Sequence, residues 1–389
     1  MAQSIEYNKI SRMKKILAFI VVNYCLVFLS GSVSAQEFQT ICDGIEHAKF
    51  ARKIKDEPIV VNLLRLDLSK VRLDVVHAMD AAIGTETTSS IATRHGAFAA
   101  INAGFFRLDR SIFAGDAVSV LQIDGKLLSE SLVHRTALLI NNKPESTEVA
   151  FTRLKSVFPI YIKKNIIFAN GINRQRTEND FVIYTPDFNR TTLTDNKGTE
   201  IVVRKNKVVQ VSEKAGSSVI PNDGFVLSFS GKELNRIKTL PKIGMKLKFL
   251  GGVFEPISGE KINYNFSEDI TNGVPQLIKN GVIEITWEQE KSSKEFAETR
   301  HPRTAVAKLK DGKFLMVTVD GRQPGTSVGM NLQELAEMLL EFGATDAMNL
   351  DGGGSTTMFL DGKVVNQPSD KEGERKVSDA ILVTPRKKK

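Results

Sequence analysis

One segment near the C-terminal end concentrates side chains that could carry acid–base or anion-binding chemistry. Residues 300–357 run from RHPRTAVA through VDGRQ to NLDGGGSTT. Asp320 and Asp351 each follow a short apolar run directly, and cationic side chains stand close to both in sequence. Carboxylates held at strand ends suit general acid–base catalysis, and the planar fork of arginine suits phosphate oxygens. This segment is therefore the first candidate for a functional site.

The hairpin around Asp311-Gly312 determines which of these side chains face each other. An Asp-Gly pair tolerates the positive φ angles of a two-residue turn. Such a turn predicts that Arg303 lies opposite Asp320 and that His301 lies opposite Arg322. All four side chains would then share one face at the open end of the hairpin. A lone Arg–Asp pair is also a common surface ion pair, so the prediction of a site depends on the convergence of several groups.

A crossover connection is predicted to bring Asp351 to the same edge. The strand at 314–319 leads through a helix, with Asn331 as its N-cap and Gly343 as its stop, to a second strand at 347–350. This β-α-β crossover at 313–350 makes the two strands parallel. Parallel strands present their carboxyl ends on one side, where open α/β sheets bind their ligands.

Small and hydroxyl-bearing residues follow Asp351. Glycines let the backbone approach a ligand and can direct several N–H groups at an anion, and hydroxyl groups add donors. The substrate-binding residues predicted on this basis are Gly352, Gly353, Gly354, Ser355 and Thr356. Two more candidates lie elsewhere in the chain: Asn102, which follows the strand at 99–101, and Arg375, which precedes the final strand.

The remainder of the chain contains short apolar and β-branched runs bounded by turn residues, a pattern that predicts strands. Asp124-Gly125, Asn280-Gly281 and Asp361-Gly362 each lie between two apolar runs and predict hairpins. We therefore expect an α+β fold, a strand-rich mixed sheet with flanking helices. The strands expected outside the candidate segment lie at 59–66, 71–78, 98–101, 136–140, 180–184, 201–211 and 246–249.

Composition and charge exclude several classes of protein. The chain has 389 residues, of which 41% are hydrophobic and 25% charged, as is usual for a globular protein and not for a disordered, collagen-like or polytopic membrane chain. The formal net charge of +8 is concentrated at the ends, because residues 1–35 carry +3 and the basic tail 386–389 carries +4. A nearly neutral body has no broad positive field for a phosphate backbone, so no nucleic-acid partner is expected.

The N-terminal residues 1–35 are predicted to be a signal peptide. Met13-Lys14-Lys15 precedes an apolar run at 16–29, and Val33-Ser34-Ala35 forms a small-residue cleavage site. The run is short against the roughly 20 residues of a spanning helix, so we expect export to the periplasm or secretion and no stable membrane insertion after cleavage. The remaining domain, 36–385, is expected to comprise an N-terminal part at 36–140, a middle part at 141–265 and the motif-bearing part at 266–385.

Several motifs together resemble the phosphodiester glycosidase family. They are INAGFF at 101–106, NGINR at 170–174, TNGVPQLIKNG at 271–281, RHPRTAVA at 300–307, VDGRQ at 319–323, NLDGGGSTTM at 349–358 and ERKVSDAILV at 374–383. The resemblance implies cleavage of the bond between the anomeric carbon of a sugar and the phosphate of a phosphodiester. It also implies a glycan-phosphate substrate, in envelope glycan or exopolysaccharide metabolism for a bacterial member. The sugar and the aglycone stay open.

The chemistry implied by the resemblance gives each candidate residue a role. Glycoside cleavage commonly uses two carboxylates, for which Asp351 and Asp320 are the candidates, and His301 could act as an acid or donate to the phosphate. An acidic phosphate leaving group needs charge neutralisation more than protonation. The expected cationic clamp comprises Arg303, Arg322 and Arg375, while Asn102 would bind a sugar hydroxyl or orient a carboxylate.

Two other functions stay open at this point. Asp320, Asn349 and Asp351 offer oxygen ligands for Mg²⁺ or Ca²⁺, as in a metal-dependent phosphodiesterase. No cofactor is otherwise expected, because a chain with five histidines and no HExxH motif gives no basis for a zinc site. The third hypothesis is a non-catalytic glycan-binding protein of the envelope. The single tryptophan, Trp287, argues against it, because sugar-binding surfaces commonly use several aromatic rings.

Overall fold

A computed structural model describes residues 38–132, 134–237, 240–254 and 267–387. The predicted signal peptide at 1–35 and the end of the basic tail lie outside the described residues. Within the described ranges, every helix is too short or too polar to span a lipid bilayer.

Strands account for 47% of the structure and helices for 10%. The strands of the described residues are β1 Gln39–Cys42, β2 Ile45–Ile54, β3 Glu57–Leu66, β4 Val71–His77, β5 Glu86–Thr87, β6 Ala99–Asn102, β7 Leu121–Ile123, β8 Lys126–Ser129, β9 Thr136–Asn142, β10 Thr147–Arg153, β11 Lys155–Ile162, β12 Asn165–Ala169, β13 Gly171–Ile172, β14 Phe181–Tyr184, β15 Gly198–Arg204, β16 Lys207–Glu213, β17 Gly224–Ser230, β18 Leu247–Phe249, β19 Gly252–Phe254, β20 Asp269–Asn272, β21 Gln276–Lys279, β22 Val282–Ile283, β23 Arg303–Leu309, β24 Phe314–Val319, β25 Ala344–Asn349, β26 Met358–Leu360, β27 Lys363–Val364, β28 Lys376–Val377 and β29 Asp379–Pro385. The α-helices are α1 Thr88–Arg94, α2 Gly231–Arg236, α3 Lys294–Glu298 and α4 Leu332–Glu341.

Two sheets enclose the main hydrophobic core. The central sheet has eight strands in the order β1-β2-β3-β24-β23-β25-β21-β22, and the second has five in the order β27-β26-β6-β29-β4. Their facing side chains, among them Leu64, Met316 and Met348 from the first sheet and Ile101 and Ile381 from the second, are fully buried in one cluster. Burial of such side chains stabilises the fold by about 25 cal/mol per Å² of apolar surface. Helix α1 packs on the second sheet, and α4 packs on β21 and β25.

A third sheet, in the order β10-β9-β20-β7-β8, contributes Leu138 and Ile140 to the same core. The other face of β9 and β20 belongs to a second hydrophobic cluster that includes Phe181, Leu227 and Phe229. Those residues come from the sheet β13-β14-β17-β15-β16. The strand expected at 201–211 is therefore two strands, β15 and β16, because the turn between them places Lys205 and Asn206 at positive φ.

The expected α+β class with flanking helices and a β-α-β crossover at 313–350 is wrong. Strands β24 and β25 do not pair with each other, because β23 lies between them and is antiparallel to both. The sheets are built almost entirely from antiparallel pairs. The fold is rich in strands and has few helices. Since β24 and β25 are each antiparallel to β23, they nevertheless run in the same direction, and both end at the edge that carries Asp320 and Asp351.

Local signals of turns and caps were reliable. The predicted pairs at 124–125, 280–281 and 361–362 form two-residue turns with both residues at positive φ. Helix α4 begins at the predicted N-cap, Asn331, with Glu334 completing a capping box, and Gly343 follows its end at φ 84°. These turns and this helix start could be predicted from short segments because their conformation depends on neighbouring residues and not on distant contacts.

The hairpin β23–β24 differs from its predicted register by one residue. Its loop comprises residues 310–312, because Leu309 donates to the carbonyl of Lys313 at 2.9 Å. Arg303 therefore lies opposite Val319 and not opposite Asp320. A one-residue shift moves a side chain to the other face of a sheet. Arg303 points toward α3 and the start of α4, whereas Asp320 points toward the second sheet.

Candidate active site

Five polar residues from three sheets meet where their strands end. Asn102 ends β6, Asn272 ends β20, Asp351 follows β25, Asp379 begins β29 and Arg303 begins β23. Direct hydrogen bonds connect these strand ends, while the Arg303 side chain bonds to α3 and to the segment before α4 and to none of the other four residues. All except Asp351 are buried, and Asp351 is partly exposed.

Asp351 is the carboxylate at the centre of this site. Its Oδ1 accepts from the amide of Gly352 at 2.9 Å, and its own amide donates to the carbonyl of Ala103 at 3.0 Å. Desolvation raises the pKa of Asp351 to about 6, with Asp379 adding to the rise and Ser355, Gly352 and Arg375 opposing it. A carboxylic acid with a pKa near neutrality can hold or release a proton under physiological conditions.

Asn102 holds the backbone of Asp351 in place. Its Nδ2 donates to the carbonyl of Asp351 at 2.6 Å, and its Oδ1 accepts from the hydroxyl of Thr304 at 2.8 Å and from the amide of Thr357 at 3.1 Å. The side chain is fully buried. Asn102 therefore connects β6 and β23 with the segments on both sides of the glycine loop, residues 352–354, and both its side-chain nitrogen and its oxygen bond to the protein.

Asp379 and Asn272 belong to the site although neither was predicted. Asp379 accepts from the amide of Gly104 at 3.1 Å, from Thr271 Oγ1 at 3.0 Å and from Ser378 Oγ at 2.7 Å. Asn272 accepts from the amide of Phe105 at 3.1 Å, while its Nδ2 is buried without a hydrogen-bond partner among the described residues. The available signal for Asn272 was positional, since it ends a strand as Asn102 does, whereas Asp379 begins its strand.

A cluster of His301, Arg303 and Arg322 forms the cationic side of the site. Burial lowers the pKa of His301, and the charges of Arg303 and Arg322 lower it further, while Glu295 partly offsets the effect. Burial and the charge of Arg322 also lower the pKa of Arg303. Within the described ranges no salt bridge joins any of the three to an acidic group. Guanidinium groups stay protonated in proteins, so the cluster holds uncompensated positive charge.

Arg303 is anchored so that part of its fork stays available. Its Nε donates to the carbonyl of Met330 at 2.8 Å, and its Nη2 donates to the carbonyls of Phe296 and Thr299 at 2.8 and 2.9 Å. Its guanidinium also lies 4.8 Å from the centroid of the Phe296 ring. The third nitrogen, Nη1, makes no hydrogen bond with the described residues. Arg322, in contrast, is exposed and makes no hydrogen bond with them at all.

The glycine loop lies between two arginines. Gly353 has φ 62°, and a Cβ atom there would lie 3.0 Å from Arg322 Nη2. A Cβ atom on Gly354 would collide with Arg375 Nη2 and Asp370 Oδ1. Arg375 is held by Asp370 through two hydrogen bonds of 2.7 and 3.0 Å, and its charge still acts on Asp351. Glycine is therefore required for the close approach of both arginines to the loop.

The amides of this loop are mostly used within the protein. Gly352 donates to Asp351, Gly353 donates to the carbonyl of Pro302 at 2.9 Å, and Ser355 donates to the carbonyl of Gly352 at 3.1 Å. Residues 353–355 form a short 3₁₀ turn. Thr356 Oγ1 is buried without a hydrogen-bond partner in the described part of the chain. The loop thus shapes the site around Asp351 and does not present an open row of N–H donors.

Asp320 occupies a different position from the one predicted. Its Oδ1 accepts from Asn366 Nδ2 at 3.2 Å and from the amide of Gln367 at 3.0 Å, and it forms no pair with Arg303. Burial raises the pKa of Asp320, and Lys49 is the charged side chain that lowers it. Asp320 therefore fixes the segment that follows β27, and its carboxylate is coupled neither to Asp351 nor to the arginine cluster.

Two of the residues considered as ligands for a divalent cation, Asn349 and Asp320, make hydrogen bonds within the protein, while Asn349 Oδ1 is buried without a partner among the described residues. Asn349 Nδ2 donates to the carbonyls of Val274 and Leu350 at 2.8 and 2.7 Å. Asp320 is engaged with Asn366 and Gln367, as described above. Among the described residues, no group of three or more histidine, cysteine or acidic side chains is arranged to hold a metal ion.

Comparison with known proteins shows which family the C-terminal half of the chain resembles. Residues 197–384 match the family model of the phosphodiester glycosidases. This match confirms the resemblance carried by the sequence motifs. The matched segment therefore resembles the phosphodiester glycosidases, a family of hydrolases that act on phosphodiester glycosyl linkages.

Individual relatives extend the comparison. The chain is 30% identical over 192 residues to the N-acetylglucosamine-1-phosphodiester alpha-N-acetylglucosaminidase of Bos taurus, covering 43% of this chain and 36% of the bovine protein. A crystal structure of a protein from Burkholderia pseudomallei K96243 superposes with a TM-score of 0.73 at 26% identity, covering 85% of this chain and 74% of that one. A Synechocystis protein has the same fold, with a TM-score of 0.77 at 24% identity over 91% of this chain and 64% of that one.

Proposed function

We propose that this chain is an exported glycosidase that hydrolyses a sugar-1-phosphodiester, releasing the free sugar and a phosphate monoester. The observation that carries the proposal is the cluster of His301, Arg303 and Arg322, three cationic or polar nitrogen groups with no carboxylate paired to them, on the same strand edge as Asp351. Uncompensated guanidinium groups call for an anion. A sugar phosphodiester supplies that anion and, next to it, an anomeric carbon.

The phosphate is bound by the side chains whose nitrogen atoms the protein leaves available. Arg322 contributes its whole fork and Arg303 contributes Nη1, while the remaining nitrogens of Arg303 fix its position. The lowered pKa of His301 favours its neutral form, and a neutral imidazole can donate one hydrogen bond to a phosphate oxygen. Binding an anion here also relieves the repulsion between the two guanidinium groups.

Asp351 is the base that activates water. In the step we propose, ionised Asp351 removes a proton from a water molecule as the water oxygen bonds to the anomeric carbon. The bond from that carbon to the phosphate oxygen breaks, and its electron pair leaves with the phosphate. The arginines stabilise the charge that develops on the leaving group, which is where electrostatic stabilisation lowers the barrier. The phosphate leaves as an anion, so protonation of the leaving oxygen is not required.

Three buried polar residues fix backbone segments around the site and do not contact the substrate in this proposal: Asn102, Asp379 and Asp320. Asn102 fixes the main chain of Asp351, and Asp379 fixes Gly104 beside it and contributes to the raised pKa of Asp351. Asp320 holds the segment after β27. Arg375 lowers the pKa of Asp351 and lies against the glycine loop, with its own fork occupied by Asp370. We therefore assign the phosphate clamp to Arg303 and Arg322.

The substrate class follows from the relatives and from the expected export. The bovine relative acts, by its name, on an N-acetylglucosamine-1-phosphodiester, and the Burkholderia structure is provisionally described as an exported protein. Together with the signal sequence expected at 1–35, these similarities favour a glycan phosphodiester of the cell envelope or an exopolysaccharide as substrate for the domain at 36–385. The periplasm or the exterior is the compartment in which such substrates occur.

Product analysis tests the proposal. The mature protein is incubated with UDP-N-acetylglucosamine and with sugar 1-(methyl phosphate) esters of several hexoses and N-acetylhexosamines, and the products are separated and identified. We expect free sugar together with UDP or methyl phosphate, and no products from the Asp351→Asn variant. Sugar 1-phosphate together with UMP or methanol would instead show cleavage at phosphorus and would overturn the proposal. An EDTA-treated sample distinguishes a metal-dependent reaction in the same experiment.

A further inference from the structure

A polar cavity separate from the candidate active site is lined partly by a chain segment that begins a few residues after Asn102. Its volume is about 600 Å³, within the range of ligand pockets. Its polar lining includes Arg107, Asp116, Ser129, Glu130, Arg174 and Gln175, and its apolar lining includes Ala117, Val118 and Leu132. None of these residues belongs to the site around Asp351.

Asp116 is the group in this cavity that lacks a partner. The residue is only 8% exposed, yet its carboxylate makes no hydrogen bond or ion pair with the described residues. Burial raises the pKa of Asp116 to about 7, and Glu130 raises it further, whereas Arg174 and Arg107 oppose the rise. Buried polar groups are normally hydrogen bonded. Asp116 lines the cavity, so the donors for its carboxylate come from the cavity, as water or as a bound ligand.

The neighbouring cations are already committed to other acidic or amide groups. Arg174 Nε donates to Glu130 at 2.5 Å, and its Nη1 donates to Asp180 at 2.6 Å. Arg107 bonds through Nη1 to Gln175 and through Nε to Asp109. The repulsion between Asp116 and Glu130 is thus only partly neutralised, which disfavours an anionic occupant. Hydroxyl donors next to short apolar patches are the chemistry of a neutral sugar ring.

The chain segment 102–107 connects this cavity with the candidate active site. Asn102 holds Asp351, and the Phe105 ring packs edge-on against Phe296 at 6.1 Å between centroids, with Arg303 stacked on the same Phe296. Arg107 then lines the cavity. Five residues of extended chain span at most about 18 Å, so an oligosaccharide could reach both sites at once.

We propose that this cavity is a second carbohydrate-binding subsite that holds a neutral sugar residue of the substrate away from the scissile bond, through hydroxyl groups that donate to Asp116. The identity of that sugar as part of a substrate rests on the proposed function. The binding itself does not, because it involves neither the phosphate nor turnover. Glu130 is the second acceptor within reach of the same ligand, and Arg174 fixes its position.

Calorimetric titration tests the subsite directly. The mature protein is titrated at pH 8, above the pKa of Asp116, with millimolar concentrations of neutral trisaccharides, namely tri-N-acetylchitotriose, cellotriose, maltotriose and mannotriose. We expect at least one of them to bind, and the Asp116→Asn variant to bind it at least about tenfold more weakly, the loss expected for a hydrogen bond to a charged group. The Asp116 side chain makes no hydrogen bond within the described residues, so we expect the variant to keep the wild-type thermal unfolding temperature. That measurement checks that the variant folds.

A matched variant and a charged ligand complete the test. Asp187→Asn changes a carboxylate of a different cavity, in which Asp187 lies 3.6 Å from Lys126, and should leave the binding unchanged. The proposal is overturned if none of the neutral trisaccharides binds, or if Asp116→Asn binds as well as the wild type. Binding of the de-N-acetylated, amine-bearing chitotriose alone would likewise reject a neutral-sugar subsite. The hydrolysis assay described above reports on the proposed function independently of all these outcomes.

Discussion

The side-chain amide of Asn102 donates to the main-chain carbonyl of Asp351 over 2.6 Å, in the interior between two sheets. The same amide accepts from Thr304 and Thr357. The position of the candidate catalytic carboxylate is therefore set by a buried residue whose side-chain nitrogen and oxygen both bond to the protein. Positioning of a base within a few tenths of an ångström is worth large factors in rate.

Replacing Asn102 should affect both stability and turnover. Asn102→Ala removes one donor and one acceptor that serve three buried groups, and each unsatisfied buried group costs about 1–3 kcal/mol. We expect a lower midpoint in urea unfolding and a fall of at least about tenfold in kcat, with a smaller change in KM. Asn165→Ala, on the exposed part of β12, is the control. A destabilised variant with wild-type kcat would show that Asn102 does not position Asp351.

Arg322 tests the phosphate clamp with the least disturbance of the fold. Because Arg322 is exposed and makes no hydrogen bond with the described residues, Arg322→Gln should fold normally. Loss of charge-assisted bonds to phosphate, at about 1.5–3 kcal/mol each, predicts a fall of roughly 10- to 100-fold in kcat/KM for a phosphodiester substrate. Arg110→Gln, a substitution of another exposed arginine, should be neutral. Equal kcat/KM for the two variants would remove Arg322 from the clamp.

Replacing Asp351 by asparagine should abolish activity and increase the stability of the protein. Its pKa of about 6 in the folded protein lies above the value of about 3.9 in an unfolded chain. The ionised form is therefore disfavoured by folding, so this group makes the protein less stable as the pH rises through 4 to 6. Asp351→Asn removes that cost, and we expect the variant to be inactive but on the order of 2 kcal/mol more stable than the wild type at pH 8.

The stability comparison at two pH values carries its own control. At pH 4 the carboxyl group is mostly protonated in the folded wild type, so the stabilising effect of Asp351→Asn should largely vanish there. Chemical unfolding at pH 4 and pH 8 measures both values. A variant that is equally stabilised at both pH values would mean that ionisation of Asp351 does not cost folding free energy.

Arg375 should influence the pH dependence of the reaction. If ionised Asp351 is the base, kcat/KM rises with pH through about 6. Arg375 lowers the pKa of Asp351, so Arg375→Gln should move this rise to higher pH, and Arg375→Lys should move it less. Lys371→Gln changes an exposed charge nearby and serves as control. A profile that keeps its midpoint in Arg375→Gln would indicate that another group limits the acidic side.

The sequence allowed the local elements near the site to be predicted well, because their causes are local. The capping box of α4 and three two-residue turns depend on residues within a few positions of one another. The glycine loop after Asp351 and the end of β6 at Asn102 were also recognisable from apolar runs followed by small or polar residues. Each of these predictions needed only the chemistry of a short segment.

Two features were out of reach for the same kind of reasoning. The loop at 310–312 has three residues where an Asp-Gly pair suggests two, and this single residue places Arg303 and Asp320 on opposite faces of the sheet. Asp379 and Asn272 reach the site only through the pairing of separate sheets. Contacts of that kind depend on the global packing and leave no periodic signal in the chain.

The central claim is that the bond between the anomeric carbon and oxygen breaks, and isotope labelling tests it most directly. A sugar phosphodiester is hydrolysed to completion by the mature protein in water enriched in ¹⁸O, and the phosphate monoester is examined by mass spectrometry. Attack of water on the anomeric carbon predicts a phosphate product without ¹⁸O, because the bridging oxygen leaves with phosphorus. An ¹⁸O atom in the phosphate would show attack at phosphorus and would contradict the account.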